Sequence, residues 1–77
     1  MRAIVQRVNS SQVIVEGKTI ADIGKGLLIL LGVAPGDDEA KSVAMAKKLA
    51  QLRIFEDDQG KMNLSLLDTG GAAIVVS

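Results

Sequence analysis

Residues 27 to 33 read LLILLGV, an apolar run with no position that turns a polar side chain toward water. A strand wetted on one side alternates polar and apolar residues, so this run predicts a central strand covered on both faces. Covering two faces takes two further layers, and that demand falls on a chain of only 77 residues. A chain of that length buries roughly 60% of the surface its unfolded form exposes, which leaves stability marginal. The usual reinforcements are absent, because there is no Cys for a disulfide framework and no Cys or His for a structural metal. Oligomerisation, or further chain, is the expected source of the missing cover.

Around that strand the pattern is readable in order. AIVQRV (3 to 8) and QVIVE (12 to 16) are predicted strands with NSS as the turn between them. Glu16-Gly17-Lys18 then turns into TIADI, so the chain is expected to open as an antiparallel meander at the sheet edge. After the central strand, Pro35 and Gly36 break the run, Asp37 can cap, and Asp38 with Glu39 sits at the positive end of a helix dipole. The predicted helix runs from about Asp38 to Leu52. Met45, Leu49 and Leu52 share one face with Ala46 beside them, and Lys41, Lys47, Lys48 and Gln51 lie opposite. A short strand from Arg53 to Phe55 and an acidic turn ending in Gly60 follow. KMNLSLLD is expected as a partly ordered loop around Met62, Leu64 and Leu67, and Thr69-Gly70-Gly71 leads into a last strand, Ala72 to Ser77. Strands followed by one strand-helix-strand unit predict a mixed α/β layer fold. One helix covers one face, so LLILLGV and AAIVVS are left as aggregation-prone surfaces unless something else covers them.

Composition narrows the chemistry. Nine Lys and Arg balance nine Asp and Glu, so no global field advertises a nucleic acid or a membrane, and any polyanion contact must be local. Apolar stretches are far short of a membrane span, and MRAIVQRVN is broken by Arg2, Gln6 and Arg7, unlike a signal peptide; a cytoplasmic location is the expectation. Without His or Cys, neither a Ser-His-Asp nor a Cys-His site can be assembled, nor a zinc site of the usual kind. An enzyme built from these residues works with hydroxyls, carboxylates, lysines or its backbone.

Several short motifs are weighed on that basis. IGKG (23 to 26) suggests a phosphate loop, but such a loop ends in Gly-Lys-Ser/Thr and opens a helix, whereas here a strand follows; it reads as a turn. FEDDQGK fails the spacing of a calcium loop and reads as a solvated turn. The Lys41, Lys47 and Lys48 face reads as the wet side of an amphipathic helix. Arg7 is more informative, since strand alternation puts it on one face with Ala3 and Val5, a permanent charge at an apolar parity. Either its stem covers apolar surface while its head reaches water, or its guanidinium holds backbone carbonyls or a ligand. Ser77 shares parity with Ala73 and Val75 at the C-terminal end of a buried strand, where open α/β sheets place ligands.

The stretches MRAIVQRV, IGKGLLILLGV, LRIFEDDQGKMNLSLLD and the closing VVS, in that order, resemble the N-terminal part of the D-aminoacyl-tRNA deacylases. LRIFEDDQGKMNLSLLD is the specific match. The resemblance implies a layered β/β/α sandwich, here incomplete, of mainly antiparallel strands with one amphipathic helix. It implies that residues 1 to 77 are the N-terminal half of a single domain and that Ser77 matches the first residue of the family's active-site motif. It implies an enzyme that hydrolyses the ester of D-aminoacyl-tRNA, and of mischarged glycyl-tRNA, to free tRNA and amino acid. That is a chiral proofreading role in translation, performed by a homodimer that binds the aminoacylated tRNA 3′ end, without DNA, membrane, metal or cofactor. On matching positions, Ser77 is the catalytic candidate, Arg7 positions a glycine-proline loop with a cis peptide bond, and Lys61 is a candidate RNA-phosphate contact. The 77 residues alone are expected to be inactive. The alternative expectation is a catalytically silent module that self-associates through its uncovered apolar strands.

Overall fold

In the computed structural model, which describes residues 1–77, the chain forms β1 (Arg2–Val8), β2 (Ser11–Val15), β3 (Lys18–Ile23) and β4 (Gly26–Gly32). These are followed by α1 (Glu39–Gln51), β5 (Phe55–Glu56), β6 (Met62–Leu64), α2 (Leu66–Thr69) and β7 (Ala72–Val76). The apolar run is the centre of a three-stranded sheet ordered β1-β4-β7, with β1 antiparallel and β7 parallel to it. β2 with β3, and β5 with β6, form separate two-stranded antiparallel ribbons. The architecture is mixed α/β, mostly strands with a helix, as the sequence led us to expect.

The expected opening meander is corrected by these pairings. β1 does not pair with β2; it reaches past the β2–β3 hairpin to β4, setting Ala3 against Leu31, Val5 against Ile29 and Arg7 against Leu27. The apolar gain explains the choice, because Ala3 and Val5 join the core of Leu27, Ile29 and Phe55, whereas Ile14 and Val15 of β2 stay exposed. The hairpin turn follows the sequence closely: Glu16 (φ 51°) and Gly17 (φ 78°) both take positive φ, the requirement of a tight turn matched to strand twist. The strand-helix-strand unit also has a different closing member. β5 lies outside the main sheet, and it is β7 that returns parallel to β4.

α1 lies on the face of the sheet that carries Leu27, Ile29, Leu31, Ala73 and Val75, with Met45, Ala46 and Leu49 turned to it across a cavity of about 280 Å³. Its cap is Asp38, whose side chain accepts from the Lys41 amide at 2.9 Å, and not Asp37. Asp37 is occupied elsewhere: it accepts the Ala34 amide at 2.8 Å and pairs with the N-terminal ammonium at 2.9 Å, tying the start of β1 to the loop before the helix. KMNLSLLD is also more ordered than expected. Ser65 and Asp68 form a reciprocal capping box, with the Ser65 amide donating to Asp68 at 2.8 Å and the Asp68 amide donating to Ser65 Oγ at 3.2 Å. Of the three apolar residues expected to anchor that segment, Leu64 packs on the core while Met62 and Leu67 are exposed.

The opposite face of the sheet is covered only at one end, where Ile74 is buried and β3 packs on β7, and is bare at the other. Ile4, Leu30 and Val76 stand level across all three strands and are 68%, 46% and 39% exposed. The molecule measures 42 × 34 × 16 Å, and its radius of gyration is 13.7 Å, against about 11.5 Å for a compact domain of this length. These residues therefore supply only part of the second layer that LLILLGV demands.

One contact makes the sheet possible. Gly26 is buried, and a Cβ placed on it would run into the backbone carbonyl of Ala72 on β7. Gly24, two residues earlier, has open space where its Cβ would stand. Gly26→Ala is expected to destabilise the protein by about 1–3 kcal/mol or more, because the obstructing atom is main chain and cannot swing aside. Gly24→Ala is expected to stay within about 0.5 kcal/mol. Thermal melts of the two variants check this, and equal melting temperatures would refute it.

Candidate active site

Strand register fixes where the candidate residues stand. Val76 is level with Leu30, so Ser77 comes level with Leu31 at one end of β4. Arg7 pairs with Leu27 at the other end. Four residues along β4 at about 3.3 Å each, and two strand spacings of about 4.8 Å across, separate Arg7 and Ser77 by about 16 Å. Within one chain the two do not meet.

Ser77 borders a groove of about 330 Å³ walled by the apolar row Ile4, Leu30 and Val76, with Arg2 and Gly32 at its end. It is exposed, and its hydroxyl and the Arg2 guanidinium are the side-chain groups of that groove able to donate to an oxyanion. Sequence reasoning did not pick out Arg2, although its pairing with Gly32 follows once β1 is aligned on β4.

Arg7 has the parity expected, on the face of Ala3 and Val5, and it is exposed at the strand end. It lines a second groove of about 350 Å³ with Val8, Asn9, Lys25, Phe55 and Glu56. Phe55 is buried and forms a fixed floor. Both ion pairs of the chain centre on Asp37, so Arg7, Lys25 and Glu56 are joined by no salt bridge. Reading IGKG as a turn gives Lys25 no role. The signal that finds it is the register, since Gly26 pairs with Val8 and leaves Lys25 beside the end of β1.

Lys61 lies in the β5–β6 hairpin, exposed, on the ribbon whose Glu56 enters the Arg7 groove. No three acidic side chains gather to hold a metal ion. No helix is long and apolar enough to cross a membrane.

Known proteins resemble this chain along nearly its whole length. The family described as D-Tyr-tRNA(Tyr) deacylase matches residues 4–77. A D-aminoacyl-tRNA deacylase of Pelobacter propionicus is 56% identical over 77 residues, all of this chain and 53% of that protein. Those of Roseiflexus castenholzii and Myxococcus xanthus are 58% and 61% identical, again over the whole chain and over 49% and 50% of theirs. A solved structure named c-Myc DNA Unwinding Element Binding Protein superposes with a TM-score of 0.92 at 37% identity, covering 97% of this chain and 51% of that one. The chain thus spans about half the length of the curated relatives it matches.

The hairpin that carries Lys61 is held by one carboxylate. Asp57 accepts the backbone amides of Gln59 at 2.9 Å and Lys61 at 3.1 Å. These bonds, Lys61 first, favour its charged form and lower its pKa from the ordinary 3.8. A depressed carboxylate pKa contributes stability that is present above the ordinary value and lost as pH falls through the folded value. The Gln59 and Lys61 amide resonances should therefore titrate together with a midpoint below 3.8. A midpoint at or above that value, followed by NMR, would contradict this account of the turn.

Proposed function

Since this chain belongs to the D-Tyr-tRNA(Tyr) deacylase family, we propose that the protein carrying it hydrolyses the ester of D-aminoacyl-tRNA, releasing tRNA and the free D-amino acid. The observation that carries this is identity of 56–61% across the whole chain to proteins named D-aminoacyl-tRNA deacylase. Residues 1 to 77 are, on this reading, the N-terminal half of a single domain that acts in the cytoplasm as a homodimer. Mischarged glycyl-tRNA, whose amino acid has no side chain to be sorted by hand, is a second substrate.

The residues suit such a reaction. Ester hydrolysis adds water to the acyl carbonyl, passes through an oxyanion and breaks the acyl C–O bond, and the departing ribose oxygen takes up a proton to become the free hydroxyl. With no His or Cys in these 77 residues, stabilisation of that oxyanion falls to hydroxyl and backbone donors, each worth about 3–4 kcal/mol when preorganised in a dry site. The Ser77 hydroxyl is such a donor at the edge of the pocket. Arg7, always charged and fork-shaped, is suited to hold the carbonyls of a glycine-proline loop. The distance of about 16 Å between them supports a site made by two chains, in which Arg7 of one subunit steadies the loop that enters the pocket at Ser77 of the other.

The test is the intact protein on D- and L-aminoacyl-tRNA. D-ester turnover with the L-ester spared is expected, and Ser77→Ala should lower kcat by about 10²–10³-fold. The isolated 77 residues should show no stereoselective turnover. Equal rates on both esters would overturn the reading, and turnover of neither would favour a non-catalytic self-associating module.

A further inference from the structure

We propose that Lys25, presented by the IGKG turn, forms with Arg7 a groove that binds a backbone phosphate near the 3′ end of the RNA substrate. The proposal rests on the deacylase reading and extends it to residues that the reading leaves unused.

IGKG is not a P-loop, because β4 and not a helix follows it. The turn nevertheless has a fixed place. The Lys25 carbonyl accepts the Ala72 amide at 3.5 Å, and Gly26 is held between Val8 and Ala72 by the pairing of β4 with its two neighbours. The main chain at Lys25 is thereby anchored to both flanking strands, while the side chain lines the groove with Arg7 and Asn9.

The charge in that groove is unbalanced. Arg7 and Lys25 bring two positive charges and Glu56 one negative, with no ion pair among them. The chain as a whole is neutral, so this excess is a local feature and not part of a basic surface. Two cations facing one groove repel each other, and an anion between them relieves the repulsion. The chemistry of the pair also fits phosphate: the five N–H donors of a guanidinium leave one edge for a phosphate while another holds loop carbonyls, and an ammonium adds a compact charge with three donors. Asn9 supplies a neutral amide at the same wall, and the buried Phe55 ring lies at the floor.

The source of the phosphate follows from the position. If Arg7 of one subunit serves the pocket of the other, its groove stands at the rim of that pocket. The last phosphates of an RNA whose terminal ribose ester lies in the pocket pass there.

The experiment is the binding of uncharged tRNA to the intact protein between 50 and 200 mM salt. One phosphate contact on single-stranded RNA contributes about 0.7 to the slope of log K against log salt. Lys25→Gln should reduce the slope by about that amount, and Glu56→Gln should tighten binding by removing the opposing charge. Lys48→Gln, on the outer face of α1, should change neither. An unchanged slope in Lys25→Gln, or an equal change in Lys48→Gln, would overturn the proposal. Orthophosphate binding that depends on Lys25 while the tRNA slope does not would assign the groove to a free anion and overturn the RNA assignment. Binding needs no turnover, so the two readings fail separately. A Lys25-dependent slope in a protein without stereoselective hydrolysis removes the deacylase reading, and stereoselective hydrolysis with an unchanged slope removes the groove.

Discussion

Strand β4 is bonded along both edges, antiparallel to β1 and parallel to β7, and the other features of the chain are arranged around that fact. Two neighbours of opposite direction end at opposite ends of the strand they share. Arg7, near the end of β1, and Ser77, just past the end of β7, are therefore kept apart by topology and not by a loop that could move. The same pairing sets the spacing of the sheet at its lower end. Only a residue without a side chain fits at Gly26, because the Ala72 carbonyl occupies the place of a Cβ. A close main-chain approach of this kind holds the adjoining Lys25 against the start of β7, where its carbonyl accepts the Ala72 amide.

Local chemistry made much of the fold legible. LLILLGV reads as a central strand because no polar residue offers it a wet face, and it is the strand with two partners. The helix is marked by its apolar stripe and acidic start, and the hairpin by Glu16-Gly17. Partner choice was less legible. NSS suits a tight connection between β1 and β2, yet β1 gains more from apolar contact with β4, and sequence proximity lost to burial. Asp37 and Asp38 are equivalent as caps on paper; the N-terminal ammonium, 36 residues away in sequence, takes one and leaves the other to the helix. In KMNLSLLD the signal was present, since Ser65 and Asp68 have the spacing of a capping box, but the apolar residues around them drew attention to a packing role that Met62 and Leu67 do not have.

The site divides in the same way. Missing His and Cys exclude whole reaction classes from these residues without any structure. The parity of Arg7 was readable from strand alternation, and its face is the one that alternation gives. The company it keeps was not readable. Asn9, Lys25 and Glu56 come from three separate segments and converge only because β1 pairs with β4 and the β5–β6 ribbon folds back beside them. Lys25 looked like a solvated turn residue since its importance depends on a neighbour 18 positions earlier.

The bare end of the sheet face away from α1 joins folding to function. Ile4, Leu30 and Val76 form one apolar row across three strands, and the same three side chains wall the groove at Ser77. Burying that row removes apolar surface from water, the main favourable contribution available to a sheet with one helix on it. Whatever lies against the row also closes the groove, and exclusion of water there strengthens every hydrogen bond that Ser77 makes. A layer that stabilises this sheet thus shapes the pocket in the same step, and a substitution that weakens the cover of the row is felt at Ser77 as well as in the melting temperature. The groove of Arg7 and Lys25, at the far end of β4, is built from pairings already made within these residues, so its walls do not depend on the cover of that row.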